Sequence, residues 1–479
     1  MNRPADRSGR LALILCLALA AGASAAPTEQ VVDLERLPEL FLHDGVLVAE
    51  STGVSVEMGR LEKHPQPLVV ADRPWETGFL GYACVLQDAT DGLYKMWYEV
   101  RSEEMRGRCH YAVSKDGIHW EKPVLNLVEW KGSRANNLVF TGPNQAQSKV
   151  HWVIKDYAEP DPARRYKMMY HLWDQGGRGV AIAHSSDGLR WTSSPFVNLH
   201  GGFDTSNILL FDDRLGMFVG YFRLWLGGKR YIGRATSPDA YHWSRPVQVH
   251  GPDERDPQQW DLYTPAVFKY RPARDVYVMV PAAFDWPSNT LYGQLALSRD
   301  GIDWFRFREP FLPLGSKGAW DSGSIYPVPS DVKVGGRTAV YYRGNDYGHG
   351  AGGKTGYGVA FLRQGGFVGR RAVGEGTLTT HLLRVNSPRS VFYLDADARG
   401  GSIRAELIDA AGQVVPGFSR PDSAEIAGDG TRQLLRWRET ASLTDVIQKG
   451  PVRLKLYLRA ATVYGFEAGS PPKQATAGR

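Results

Sequence analysis

The chain reads as an all-β protein, a five-bladed β-propeller followed by a C-terminal β-sandwich, and three observations predict it. A Ser-x-Asp-x-x-x-Trp frame occurs four times, at Ser114 to Trp120 (SKDGIHW), Ser185 to Trp191 (SSDGLRW), Ser237 to Trp243 (SPDAYHW) and Ser298 to Trp304 (SRDGIDW). Each copy ends an alternating apolar run, and its tryptophans fall 71, 52 and 61 residues apart, a spacing suited to one four-stranded blade with its loops. Glycine and proline are abundant (53 and 29 of 479 residues), aromatics make up 11%, and no long run of helical period stands out.

Residues 1–25 read as a secretory signal peptide. Arg3, Arg7 and Arg10 precede the apolar run Leu11 to Ala21, and Ala23-Ser24-Ala25 gives a small-x-small cleavage pattern near Ala25. The apolar run is too short for a permanent anchor, and Cys16 lacks the small residues expected before a lipidated cysteine. The mature chain is therefore expected in the periplasm or outside the cell, without a membrane anchor. Its charge is mildly basic and spread out, with no polybasic block or aromatic-basic stripe to suit nucleic acid.

Residues 26–70 form a lead-in expected to pack against the bottom or side of the propeller. Residues 71–375 then supply the blades: Trp75 to about Leu127, Val150 to Phe196, Phe203 to Val249, Trp260 to about Pro313, and Trp320 to about Val373. In each, the Asp-Gly of the repeat is the tight turn before the last strand, Asp accepting local N–H bonds and Gly supplying a positive φ. The fifth copy is degenerate, at Val359 to Val368 (VAFLRQGGFV). Cys84 and Cys109 are placed on the first and third strands of one blade, which are not neighbours, so two buried thiols are favoured over a bridge. From residue 376 to 468 the aspartate turns stop and longer alternating strands indicate the sandwich; residues 469–479 have nothing to bury and read as a disordered tail.

Inner strands of a propeller converge on its axis, so the residues that open them are the place to seek chemistry. They are Trp75-Glu76, Val150-His151, Phe203-Asp204, Trp260-Asp261 and Trp320-Asp321. Four carboxylates at one rim would raise one another's pKa, which suggests acid–base work, although each could also cap a strand. The second strands add Tyr98 and Arg101, His171, Tyr221 and Arg223, and Tyr342 and Arg343. The arginines could hold an anionic substrate group or pair with the acids of neighbouring blades. Trp75, Trp152, Trp260, Tyr263 and Trp320 could stack on sugars or fill wedges between blades, and His349 in YGHG is read on a loop after blade five, facing substrate or merely exposed.

Rim acids, five blades, an export signal and a trailing sandwich resemble the five-bladed glycoside hydrolase superfamily of invertases, levanases, arabinanases and β-xylosidases, in particular its bacterial invertase-like branch. The resemblance implies an exported glycoside hydrolase acting on an oligo- or polysaccharide, with Glu76 of RPWETG at the position of the nucleophile or base. The group normally has Asp there, and its Asn-Asp-Pro-Asn, Arg-Asp-Pro and Glu-Cys signatures are absent; Arg255-Asp256-Pro257 falls in a loop. Glu76, Asp204 and Asp261 are thus the expected catalytic carboxyls. Trp75, Arg101, His151, His171, Arg223, Tyr263, Asp321 and Arg343 are the expected substrate contacts. No cofactor is expected beyond a possible structural Ca²⁺. A propeller that only binds carbohydrate, or a sialidase-like or uronic-acid-directed enzyme suggested by the arginines, stays open beside this reading.

Overall fold

A computed structural model describes residues 30–35, 37–101, 108–143, 147–174, 177–200, 203, 205–350, 352–385, 391–438 and 442–471. The expected signal peptide, its expected cleavage position near Ala25 and residues 472–479 of the tail lie outside the described residues. Blade one is the antiparallel meander Phe79–Gln87, Tyr94–Arg101, Arg108–Ser114 and Trp120–Glu121. Blade two is Gln147–Lys155, Tyr166–Asp174, Gly177–Ser185 and Thr192–His200. Blade three runs Ile208–Asp212, Met217–Leu226, Lys229–Ser237 and Val247–His250.

Blade four has its first two strands each in two pieces, Trp260–Leu262 with Val267–Lys269 and Tyr277–Met279 with Ala282–Asp285, followed by Thr290–Ser298 and Phe305–Leu312. Blade five contributes Ser324–Val334, Arg337–Asn345 and Thr355–Leu362. The first strand of each blade lies against that of the next, and the first strand of blade five lies against that of blade one. That closed ring of inner strands is the propeller.

The repeated turns form as their sequence predicts. In blade one Gly117 N–H donates to Ser114 Oγ (2.9 Å), and Ile118 and His119 N–H donate to Asp116 Oδ1 (2.8 Å each). Gly117, Gly188 and Gly301 have φ of +78°, +76° and +74°; Ala240 takes the same place at +69°, where a Cβ is disfavoured. These turns also weld neighbouring blades. Tyr341 of blade five donates to Gly117 O, Trp97 of blade one to Gly188 O, and Tyr221 of blade three to Gly301 O. A second weld is ionic: Asp88, at the end of the first strand of blade one, takes bonds from Lys95, Lys155 and Tyr166. Cys84 and Cys109 are buried, unbridged, and flank the second strand, opposite Trp97 and Glu99 respectively.

Blade five closes differently from the expectation. Beyond Leu362 the chain does not return as an outer strand; Val368–Thr380 leaves the propeller and pairs with Val48–Thr52, Ser55–Met58 and Val452–Gly469. The segment lacks the Ser-x-Asp turn that folds the other outer strands back. Glu62–Lys63 and Val69–Val70 from the lead-in pair with Thr355–Leu362 instead. The lead-in is therefore shared: its strands between residues 31 and 58 join the C-terminal sheet, and those at 62–70 complete the ring.

The C-terminal unit is built around the 18-residue strand Val452–Gly469, which bends at Ala460 (φ +43°). Its first half pairs with Ser402–Asp409 and its second with Val391–Asp397, so the two halves close over one core containing Phe392, Trp437, Leu456 and Phe466.

Candidate functional site

Five cationic side chains gather at the hub, with at least one aromatic or cationic contributor from every blade. The Arg101 guanidinium, on the second strand of blade one, lies 5.3 Å from the Tyr82 ring centre, and Lys149 Nζ, on the first strand of blade two, lies 5.7 Å from it. Arg343 of blade five sits 3.7 Å from the Tyr326 ring and 6.0 Å from Tyr82. Arg223 and Arg230 of blade three approach Tyr263 of blade four at 5.4 and 4.9 Å. Tyr263 in turn meets Tyr326 and His349 with ring centres 5.8 and 4.6 Å away. Cations over aromatic faces gain most where they are shielded from water.

Two carboxylates share the hub. Glu99, on the same strand face as Arg101, is nearly fully buried; its Oε1 lies 2.9 Å from Arg101 Nε, and its Oε2 accepts the Tyr82 N–H at 3.2 Å. A bulge between Leu80 and Ala83 makes the room, since a Cβ on Gly81 would stand 2.2 Å from Glu99 Oε2. Asp261 is held by Arg230, whose Nη1 donates to Oδ2 at 2.9 Å; Asp261 Oδ1 is buried with no hydrogen-bond partner. A polar pair completes the wall: Tyr326 Oη lies 2.7 Å from His349 Nδ1, and the loop carrying His349 is tied to Asn289 of blade four by two backbone-linked bonds.

The cations leave their mark on titration. Burial, then Arg230, Arg343, Arg223 and Arg101, push His349 down to about 4, so its imidazole is neutral near pH 7. In the neutral ring one nitrogen carries the proton, and the 2.7 Å contact with Tyr326 suits either Nδ1 accepting the phenol O–H or Nδ1–H donating to Oη. Burial raises Tyr326 to about 12. Burial and the nearby Arg101, Arg223 and Arg343 bring Lys149 down to about 7, against the opposing pull of Glu99.

The expected site residues divide sharply. Arg101, Arg223, Tyr263, Asp261 and Arg343 belong to the hub. His171 is fully buried and faces Lys149 across the strand pair of blade two. Asp204 and the side chain of His151 lie outside the described residues.

Glu76 does not join the arginines. Its carboxylate is enclosed and takes bonds from the Asp72 and Arg73 N–H groups, Lys122 (2.6 Å) and the Tyr98 hydroxyl. Asp321 is likewise occupied, by Lys63 (2.7 Å) and the Tyr342 hydroxyl (3.0 Å). Trp75 donates to Asn137 Oδ1, Trp320 stacks on Tyr342, and Trp260 lies buried under Arg306. The expectation that Glu76, Asp204, Asp261 and Asp321 share one funnel is thus not met by Glu76 and Asp321, because Lys122 with the Tyr98 hydroxyl occupies the first and Lys63 with the Tyr342 hydroxyl the second.

No family model matches the chain, and no curated protein matches it. Among solved structures it is similar to an N-acetylgalactosamine deacetylase from F. plautii in complex with blood group B trisaccharide (17% identity, TM-score 0.42, 65% of this chain and 96% of that one). It is also similar to a structure from the GH130 family of mannoside phosphorylases, which contains glycoside hydrolases that target β-1,2 mannosidic linkages in Candida mannan (17%, 0.44, 63% and 94%). A glycosyl hydrolase from Bacteroides ovatus gives the same figures, 17%, 0.44, 63% and 94%. At such identities the site is read from its own side chains.

Glu99, Lys149, Arg230, Tyr82 and Tyr326 were not singled out from sequence. Strand parity held the signal for one of them: Glu99 and Arg101 are two apart and share a face, whereas Tyr98 points to the other face and binds Glu76. The remaining residues enter the hub through strand bulges and neighbouring blades, which no local pattern encodes. Among the described residues no group of three or more His, Cys, Asp or Glu side chains is placed to hold a metal ion.

Proposed function

We propose that the chain is an exported glycosidase that seats a sugar against Tyr82, Tyr263 and Tyr326 and cleaves its glycosidic bond in the hub. The observation that carries this reading is a pair of buried carboxylates from different blades, Glu99 on Arg101 and Asp261 on Arg230, at a hub walled by Tyr82, Tyr263 and Tyr326. Glycosidic cleavage needs one carboxyl group to pass a proton to the leaving oxygen and another to attack, activate water or support positive charge on the sugar ring. Asp261, whose buried Oδ1 has no hydrogen-bond partner, is assigned the proton transfer. Glu99, engaged on both oxygens, is assigned the charge support, and Nε2 of His349 a sugar hydroxyl. Asp204, which lies outside the described residues, competes with Glu99 for the second carboxyl role.

A panel of aryl glycosides, including an arylated neuraminic acid, and of polysaccharides tests the reading. Asp261→Asn should lower kcat by about 10²–10⁴-fold with the fold intact. Glu99→Gln and Asp204→Asn identify the second carboxyl, and Glu76→Gln should lower stability more than kcat. Release of no product from any glycan, or an unchanged Asp261→Asn, would overturn it. A second reading, a propeller that binds glycans without cutting them, draws on the fact that both hub carboxylates are buried and already ion-paired. Saturable binding with no product would favour it. Export is tested by sequencing the N-terminus of the mature protein, expected to follow Ala25.

A further inference from the structure

Arg343 is the anomaly of the hub. It is only 7% exposed, its Nε is buried with no hydrogen-bond partner, and its hydrogen bond runs from Nη1 to the Leu80 carbonyl (3.0 Å). No carboxylate lies within ion-pair distance of it among the described residues. A buried guanidinium without an anion is costly, and proteins normally pair it. Here its Cζ sits 3.7 Å from the Tyr326 ring centre with part of its planar fork unused, and it shares the Tyr82 ring with Arg101, whose Nη2 is also buried without a hydrogen-bond partner. Two guanidinium groups that border the same tyrosine, Tyr82, make a receptor for a planar or tetrahedral oxyanion.

We propose that the hub receives an anionic group of the sugar, a uronic or ulosonic carboxylate or a sulfate ester, with Arg343 and Arg101 as its ligands. The inference rests on the reading of the hub as a sugar site and names the class of sugar that fills it. Glu99 then plays a second part, holding Arg101 in position through the ion pair at Nε while Nη2 is left without a partner. The stacked Tyr326 keeps the Arg343 plane fixed, so that little side-chain freedom is lost when the anion arrives.

Calorimetric titration of the intact protein with a hexuronic-acid tetrasaccharide, its fully methyl-esterified form, a sulfated neutral tetrasaccharide and the unsulfated parent separates the possibilities. The ester keeps the shape and removes the charge. The acid should bind at least tenfold tighter than the ester, and Arg343→Gln should abolish that preference. A stronger preference for the sulfated over the unsulfated parent than for acid over ester supports the same receptor with sulfate as the source. Equal affinity for charged and uncharged forms of both pairs would overturn the proposal. Should Arg343→Gln lose its native circular dichroism, the partly exposed Arg101→Gln carries the test. Tight acid binding without any product would leave the anion receptor standing and remove the glycosidase reading; product formed equally from acid and ester would do the reverse.

Discussion

Gly81→Ala tests the architecture that positions Glu99. A Cβ at residue 81 would fall 2.2 Å from Glu99 Oε2, 2.7 Å from its Cδ and 2.9 Å from its Cβ, all below any real contact. The carboxylate must therefore move, and in moving it gives up the Tyr82 N–H bond and its approach to Arg101. Overpacking costs about 1–3 kcal/mol and a lost charge-assisted bond about 1.5–3 kcal/mol, so the substitution should cost about 3–6 kcal/mol. In a Glu99→Ala background the colliding oxygen is gone and only the 2.9 Å approach of two Cβ atoms remains, about 1 kcal/mol. Chemical denaturation of the four proteins of the cycle should thus return a coupling energy of about 2 kcal/mol or more. A cost of Gly81→Ala that is the same in both backgrounds would refute the packing described for the bulge.

Three further outcomes follow from the same side chains. Lys149 carries its proton below about 7 and sheds it above, so affinity for an acidic oligosaccharide should fall about fivefold as pH rises from 6 to 8.5, and Lys149→Met should flatten that dependence. Lys63→Met should cost about 2–4 kcal/mol, read by denaturation, because it leaves the buried Asp321 with the Tyr342 hydroxyl alone; a cost under about 0.5 kcal/mol would refute it. Burial raises the Asp88 carboxyl, but Lys155, Lys95 and Tyr166 outweigh it and hold the group well below the usual carboxylate range. Its stabilisation is complete above the unfolded value of about 3.9 and is lost as pH falls toward the depressed folded value. Asp88→Asn should therefore cost about 3 kcal/mol at pH 7, and progressively less in strong acid.

The propeller was legible because its turns are local: Ser114, Asp116 and Gly117 satisfy one another within four residues, and the pattern survives even where Ala240 replaces glycine. The rim acids were legible as residues but not as a site. Glu76 and Asp321 each lie three residues ahead of the first strand of their blade, yet Lys122 and Lys63, 46 residues after one and 258 before the other, claim them. Arg101, Arg223 and Arg343 were found because arginines in otherwise apolar second strands are conspicuous in a sequence. Lys149, Arg230 and Glu99 were missed because their meeting depends on how whole blades are phased around the axis.

The strands at 62–70 and at 31–58 serve two different sheets, and the link between them is short. Neither half of the molecule is thereby a detachable module. A fragment cut at residue 71 would expose the N–H and C=O groups of Thr355–Leu362 as a raw margin open to intermolecular pairing. During synthesis the early strands must wait for partners made some 290 residues later. The ring is consequently sealed last, by the part of the protein that emerges almost first.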